Sequence, residues 1–343
     1  MSGKLRSQCR ECGQSYPQEP LHVCETCFGP LEIQYDYEQI KRSISREKIA
    51  TREHNLWRYR ELLPIEGEPS VGLYSGFTPL VRAQRLGAAL GVKQLYLKDD
   101  SVNHPTFSYK DRVVSVAISK AIEFGFDTVS CASTGNLANS VAAHAARAGL
   151  DCYVFIPHGL EQGKIIGSGI YGPKTVAING NYDDVNRLCS EIGDKYGWAF
   201  VNVNLRPYYS EGAKTHAFEI AEQLGWRLPQ HIIVASAGGT ILPKLAKGFK
   251  DLIKVGLVED TGCKIYSAQA SGCAPIINAL HKGTDLVSPV KPDTIASSIA
   301  IGNPADGYYV IQAVRASGGW GESVTDEEIL EGIKLLARSQ GIF

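Results

Sequence analysis

The chain has 343 residues, 44% of them hydrophobic, enough to bury a large core and to divide into two lobes plus a small module. A formal net charge of -1 gives no electrostatic pull toward nucleic acid or an anionic membrane, and no apolar run approaches a membrane span. Nine cysteines, four in two close pairs and five scattered in apolar contexts (Cys131, Cys152, Cys189, Cys263 and Cys273), match a reducing compartment, so a cytoplasmic protein without disulfides is expected.

Near the N-terminus, Cys9-Arg-Glu-Cys12-Gly13 and Cys24-Glu-Thr-Cys27-Phe-Gly29 form two Cys-x-x-Cys knuckles separated by eleven residues. Two such pairs let four thiolates converge tetrahedrally on one Zn²⁺. Four sulfurs leave no open position for water or substrate, so a zinc ribbon over residues 1–35 is expected to be structural. Redox-active pairs are the alternative. The ribbon has mixed charges and no basic, aromatic-interleaved face, which argues against a nucleic-acid surface.

Short helical pieces are expected around Tyr35–Ile40 and Asn55–Pro64, and from Gly76 the pattern becomes regular. Strands are expected at Leu95–Lys98, Thr128–Ala132, Cys152–Pro157, Thr175–Ile178, Phe200–Val203, His231–Ser236 and Lys264–Ala268. Helices fall between them, from near Lys110, over Leu137–Arg147, Val185–Tyr196, Ala213–Leu224 and Leu242–Val255, and through Ile276. Thr325-Asp-Glu-Glu328 is a capping box that opens a last helix closing near Gly341. Strands alternating with helices argue for an α/β fold with open, largely parallel sheets, whose ligands bind at the carboxyl ends of strands.

Three turns stand out. In Asn103-His-Pro-Thr-Phe-Ser-Tyr-Lys-Asp-Arg112, Ser108 is a candidate N-cap, which puts Lys110 and Asp111 in the first helical turn. Asp111 suits the positive end of the helix dipole, whereas Lys110 opposes it, and the dipole favours the neutral amine that Schiff-base chemistry requires. The plain alternative is a surface lysine near a helix start. Ser133-Thr-Gly-Asn-Leu-Ala-Asn139 presents small residues and free amides at a helix N-terminus, an anion seat or an ordinary cap. Ser236-Ala-Gly-Gly-Thr240 allows close backbone approach to a phosphate, but lacks the P-loop ending and the Gly-x-Gly-x-x-Gly pattern. One amine, one carboxylate-sized seat and one phosphate seat fit pyridoxal phosphate holding an amino acid.

With these residues on view, the chain resembles the pyridoxal-phosphate enzymes of the tryptophan-synthase β fold (fold type II). Within that group the knuckles, Pro105-Thr, Ala132-Ser-Thr-Gly-Asn and Glu211-Gly-x-Lys-Thr215 resemble threonine synthases. The resemblance implies conversion of O-phospho-L-homoserine and water to L-threonine and phosphate, with Lys110 as the covalent cofactor lysine working through aldimine and quinonoid chemistry. It implies that Asn136 bonds the cofactor's 3′ oxygen and that Ala237, Gly238, Gly239 and Thr240 hold its phosphate. Ser133, Thr134 and Leu137 would grip the substrate carboxylate, with Asn204 and Arg206 near the substrate phosphate. A larger cofactor-binding lobe over 36–95 and 205–343, a smaller mobile lobe over 96–204 and a homodimer are also implied.

Some positions depart from the pattern. Phe107 stands where many relatives have glycine, and Tyr109 where phenylalanine is usual. Ala237 and Thr240-Ile replace the common glycine and asparagine of the phosphate loop. Relatives continue past the last helix with a segment that gives the pyridine nitrogen a hydroxyl partner; its absence leads to the expectation of a truncated chain. Cysteate synthase is the nearest rival, and the ribbon disfavours threonine dehydratase and cysteine synthase. A non-catalytic protein of this fold, or a zinc-ribbon interaction protein, is the reading from another class.

Overall fold

A computed structural model describes residues 5–133, 135–158, 162–179 and 182–343. In chain order its elements are β1 (Arg6–Cys9), β2 (Ser15–Tyr16), β3 (Leu31–Gln34), α1 (Tyr37–Ser43), α2 (Arg46–Ala50), β4 (Leu80–Arg82), α3 (Gln84–Leu90), β5 (Tyr96–Lys98), α4 (Lys110–Glu123), β6 (Thr128–Ala132), α5 (Asn136–Ala148), β7 (Asp151–Pro157) and α6 (Gln162–Gly169). They continue with β8 (Lys174–Ile178), α7 (Tyr182–Tyr196), β9 (Ala199–Phe200), α8 (Arg206–Glu211), α9 (Thr215–Gln223), β10 (His231–Ala235), α10 (Ile241–Lys254), β11 (Lys264–Ala270), α11 (Pro275–His281), α12 (Gly307–Ala316), β12 (Gly321–Val324) and α13 (Asp326–Gln340).

Two compact units emerge, residues 1–78 with 100–215 and residues 79–99 with 216–343. This division differs from the lobes expected at 95/96 and 204/205, because buried polar contacts draw 36–78 and 205–215 into the first unit. The Arg112 guanidinium grips both Asp100 carboxylate oxygens at 2.8 Å and also donates to Thr78 and Thr215. Tyr35 donates to Glu211 at 2.8 Å, and Glu211 pairs with Lys214 at 2.8 Å with both side chains fully buried. The Glu211–Thr215 stretch is thus an anchor for the strand leaving the ribbon. Gly212 is required there: a Cβ would meet the Arg112 carbonyl oxygen at 2.5 Å.

The first unit holds an all-parallel sheet in the order β8-β7-β6-β9. Every residue of β6 is buried, as expected of a central parallel strand covered on both faces. Ala132, Phe155, Val185, Cys189 and Phe200 form a core cluster beside it. The chain steps outward from β6 to β7 to β8 and then returns through α7 to pair β9 on the other side of β6. That reversal makes a topological switch point between β6 and β9, where open α/β sheets bind ligands at their carboxyl ends. β9 is shorter than the Phe200–Val203 strand expected from its apolar residues. The Asn204 side chain accepts from the Phe200 amide at 2.8 Å and donates to the Trp198 carbonyl at 2.9 Å, turning the chain out of the sheet.

The ribbon belongs to the same unit as an antiparallel sheet in the order β2-β1-β3. The second unit carries the parallel sheet β10-β11-β12 and the antiparallel pair β4-β5. Lys98 and Glu219 form a buried ion pair at 2.6 Å inside it. The α13 helix opens with the expected capping box, in which Thr325 and Glu328 bond each other's backbone, and closes on the left-handed Gly341. Among the described residues no helix is long and apolar enough to cross a membrane.

Candidate functional site

Lys110 is the first residue of α4, but its helix is not capped as expected. Tyr109 is the N-cap and makes no side-chain cap bond; the Ser108 hydroxyl only accepts from the Lys110 amide at 3.3 Å. What holds the turn is side-chain chemistry beneath it. Asp111, fully buried, accepts from the Thr106 amide at 3.0 Å, the Thr106 hydroxyl at 2.8 Å and the Ser140 hydroxyl at 2.7 Å. Asn103 accepts from the Gly76 amide and donates to the Ser108 carbonyl, each at 2.8 Å. Ser75 donates to the His104 carbonyl at 2.7 Å. Asp111 therefore ties the turn to α5 as well as serving the helix dipole.

Phe107 sits in this turn at φ +58°, in the left-handed region, with 68% of its surface exposed. Glycine reaches that backbone freely and phenylalanine at a cost of about 1–2 kcal/mol, which explains why a glycine is at home there. The Lys110 ammonium donates to the Tyr209 hydroxyl at 3.1 Å and lies 4.8 Å from the centre of the Tyr109 ring. Tyr209, on α8, was not singled out in the sequence. Its only signal was its place just past the expected ligand segment 201–206.

The carboxyl end of β6 leads to the N-terminus of α5. Gly135 is its N-cap without a side-chain cap bond, Asn136 is exposed and Leu137 is buried. The Ser133 amide donates to the Phe155 carbonyl, and its hydroxyl accepts from the Gly135 amide at 3.5 Å. Among the described residues nothing accepts from the Asn136 and Leu137 amides, as the first amides of a helix lack intrahelical partners. Thr134 lies outside the described residues.

Beyond β9, the expected ligand residue Asn204 has both ends of its amide committed to the backbone of residues 198–200. The neighbouring Asn202 differs, with a buried side-chain oxygen that no group meets among the described residues. Arg206 is half-buried on α8 and close enough to Tyr209 to favour the ionised phenol electrostatically. Lys110, Tyr109, Tyr209 and Arg206 thus belong to one neighbourhood of the first unit.

In the second unit, Ser236–Thr240 follows β10. Ser236 points inward: its hydroxyl accepts from Ser267 at 2.9 Å, and its carbonyl accepts from Gln269 at 3.2 Å. Among the described residues nothing accepts from the amides of 237–240. Gly238 has open space where a Cβ would be, whereas at Gly239 (φ +95°) a Cβ would meet Asp306 and Val310 at 3.0 Å. Thr240 is the N-cap of the fourteen-residue α10, yet its hydroxyl donates to Asp306 at 3.0 Å. The loop offers backbone amides and room, and its one expected side-chain donor is spent on a carboxylate.

In the ribbon the sulfurs of Cys9, Cys12, Cys24 and Cys27 all lie within 4.8 Å of one another. Cys9 and Cys27 are 3.4 Å apart and Cys12 and Cys24 3.6 Å, near the separation of about 3.8 Å that tetrahedral Zn–S bonds impose. The Glu11 and Cys12 amides point at the Cys9 sulfur at 3.4 and 3.5 Å. The Tyr16 hydroxyl, 3.1 Å from the Cys24 sulfur, brings that thiol down to about 6. Cys27, although the Gly29 amide lowers it, is pushed up to about 12 by the Cys9 and Cys12 sulfurs. Four thiols this close cannot all ionise without a cation among them. Gly29 makes the approach possible, since a Cβ there would meet the Cys9 sulfur at 2.9 Å.

Comparisons with known proteins speak to the family and the fold. The profile of the family described as pyridoxal-phosphate dependent enzyme matches residues 71–343. A threonine synthase of Methanocaldococcus jannaschii is 42% identical over 343 aligned residues, covering 99% of this chain and 84% of the relative. One from Methanosarcina acetivorans is 40% identical, covering 98% of this chain and 82% of its own length. Among solved structures, maize serine racemase superposes with a TM-score of 0.64 at 21% identity, covering 77% of this chain and 76% of that one. The processed form of threonine deaminase isoform 2 from Solanum lycopersicum gives 0.64 at 22%, covering 78% and 74%. At those identities the structures speak for the fold alone.

Proposed function

The chain belongs to the pyridoxal-phosphate dependent enzymes and, within them, to the threonine synthase family, and from that premise we propose how its residues divide the work. The reaction is the conversion of O-phospho-L-homoserine and water to L-threonine and phosphate. The observation that carries the assignment is the Lys110 amine, first in its helix and held by a neutral hydroxyl at 3.1 Å rather than by a carboxylate.

The residues present fit the cofactor. A phosphate needs several donors and no crowding; the amides of 237–240, which bond nothing among the described residues, and the open face of Gly238 offer both. Lys110 would hold the aldehyde carbon covalently, Asn136 would bond the ring's 3′ oxygen, and Ala237, Gly238, Gly239 and Thr240 would seat the phosphate, Thr240 through its amide. When bound, pyridoxal phosphate supplies an electron sink for negative charge developing at the substrate's Cα.

The chain's own groups do the rest. The Asn136 and Leu137 amides, with Ser133 and Thr134, grip the substrate carboxylate. Lys110 removes the Cα proton; a Cβ proton is lost and phosphate leaves Cγ, Cγ takes up a proton, water adds at Cβ, and Lys110 returns the proton to Cα, work that requires an amine able to be neutral or charged. Arg206 provides the cation for the substrate phosphate. Asn204 is the weaker candidate, because its amide shapes the turn instead. Four converging thiols support one structural Zn²⁺ on Cys9, Cys12, Cys24 and Cys27, and the family resemblance supports a cytoplasmic homodimer.

The test is phosphate release by the purified chain. Release from O-phospho-L-homoserine, with threonine appearing in equal amount, supports the reading. Release only from O-phosphoserine in the presence of sulfite assigns the chain to cysteate synthesis instead. Metal analysis of the same preparation should find one zinc per chain, lost on treatment with a strong chelator.

A further inference from the structure

We propose that Tyr209, backed by Tyr109, is a positioning residue for Lys110, a neutral phenol that stays hydrogen-bonded to the amine in both of its charge states. The proposal rests on the reading above only in taking Lys110 as the reacting amine.

Three observations converge. The Lys110 nitrogen donates to the Tyr209 hydroxyl at 3.1 Å, and it lies 4.8 Å and 5.8 Å from the centres of the Tyr109 and Tyr209 rings. Tyr209, on α8, is 5% exposed, so its ring is enclosed by its neighbours. Burial pushes its hydroxyl well above the ordinary tyrosine value. The other titratable groups acting on it are Tyr109, with which it shares a hydrogen bond, Arg206 of its own helix and Cys131 of β6. Asp111, next to Lys110 in the chain, is directed away to Thr106 and Ser140, and Glu211, two residues from Tyr209, to Tyr35 and Lys214.

The chemistry follows from the hydroxyl's inventory of one donor and two acceptor lone pairs. Toward an ammonium, Tyr209 accepts and its own O–H points to Tyr109. Toward a neutral amine, it turns its O–H to the nitrogen lone pair and accepts from Tyr109 instead. No proton leaves either tyrosine; each only changes the bond it donates. A carboxylate in this place would hold the lysine charged, and an apolar side chain would leave the ammonium without an acceptor. A phenol does neither, which suits a base that must give back the proton it takes. The pair also gives Tyr109 a role: its hydroxyl, absent where relatives carry phenylalanine, completes the partner set of Tyr209.

The experiment is trace acetylation of the full chain after cofactor removal, with Lys110 modification followed by peptide mass spectrometry across pH against the other lysines. In Tyr209→Phe, which keeps the buried ring, Lys110 labelling relative to the other lysines should rise several-fold at a fixed pH, because the ammonium loses its acceptor. Tyr109→Phe should move it the same way by less, and it carries the test alone if Tyr209→Phe does not fold. A wild-type Lys110 profile in the variants overturns the proposal, as does an equal shift of all lysines, which would report general loosening. Labelling needs no turnover, so failure of the phosphate-release assay leaves this result readable, and the reverse also holds.

Discussion

The turn before α4 and the loop before α10 both lead into a helix N-terminus, yet they are built by opposite means. The first is locked by side chains: Asp111 accepts three hydrogen bonds, Asn103 bridges two backbone segments, and Ser75 ties His104. The second is nearly all backbone, with one side-chain bond from Thr240 to Asp306 and open space at Gly238. The difference matches the roles proposed for each. A reacting amine needs its position fixed to a fraction of an ångström by packed and hydrogen-bonded neighbours, whereas a phosphate needs converging amides and room.

Substitutions can break that contrast. The largest effect belongs to Lys110→Ala, which should lower phosphate release by about a thousandfold or more and abolish the visible absorption of the bound cofactor while the chain stays folded. Full activity in that variant would remove the amine from the chemistry.

Asp111→Ala comes next, since three donors, two on half-buried Thr106 and one on buried Ser140, lose their acceptor together. Urea denaturation should show a loss of about 3 kcal/mol or more, and a loss under 1 kcal/mol would mean the turn is held by something else. The same network has a pH signature through His144, whose ring is 3.0 Å from the Ser115 hydroxyl and 2.9 Å from the Ser140 carbonyl. Burial holds His144 below its ordinary value of 6.5, only partly offset by the Asp111 charge. Its folded value lies below its unfolded one. Stability is therefore complete above 6.5 and is lost as pH falls toward the folded value, at up to about 1.4 kcal/mol per pH unit. In His144→Gln the slope of unfolding free energy between pH 7 and 5 should flatten.

The glycine loop should answer in a different coin. Gly238→Ala meets nothing within 4 Å, so thermal stability without cofactor should barely change, while cofactor retention falls tenfold or more, about 1–3 kcal/mol, if the phosphate occupies that space. Gly239→Ala is the converse. Its positive φ and the 3.0 Å approach to Asp306 predict about 1–3 kcal/mol lost from the protein itself, seen as a lower melting temperature before any cofactor is added. If the two variants behave alike, the loop is not a backbone cradle. Thr240→Ala should do least, about 1 kcal/mol of stability from the Asp306 bond, with cofactor retention nearly unchanged because the amide remains.

Much of the first unit was legible before any coordinates. The alternation of apolar strands with amphipathic helices located β6, β7, β8, α5 and α7 closely, because a buried parallel strand and a half-buried helix impose periods that composition cannot hide. The cysteine spacing fixed the ribbon, since four sulfurs on one centre tolerate few arrangements. Small polar residues read less clearly. Ser108 is expected as the N-cap, yet α4 starts after Tyr109 and Ser108 only accepts from the Lys110 amide. Asn204, expected near the substrate phosphate, also holds the end of β9 with its amide. Both residues are small and polar, and such side chains serve backbone and ligand equally well.

The three strand-to-helix turns, the lysine in the first of them and the cysteine knuckles were written in the sequence, because each depends on residue type at close spacing. Tertiary structure alone decided what surrounds them. Tyr209 lies ninety-nine residues from Lys110 along the chain and reaches it only because Gly212 lets α8 and the turn after it pack against α4. Tyr35, Glu211 and Lys214 form one buried anchor across a separation no local pattern reports. Phe107 was visible as a departure, but only its backbone angle showed why glycine suits that place. In the turn Asn103–Arg112, residue type and spacing single out the lysine, while long-range packing supplies the hydroxyl it bonds.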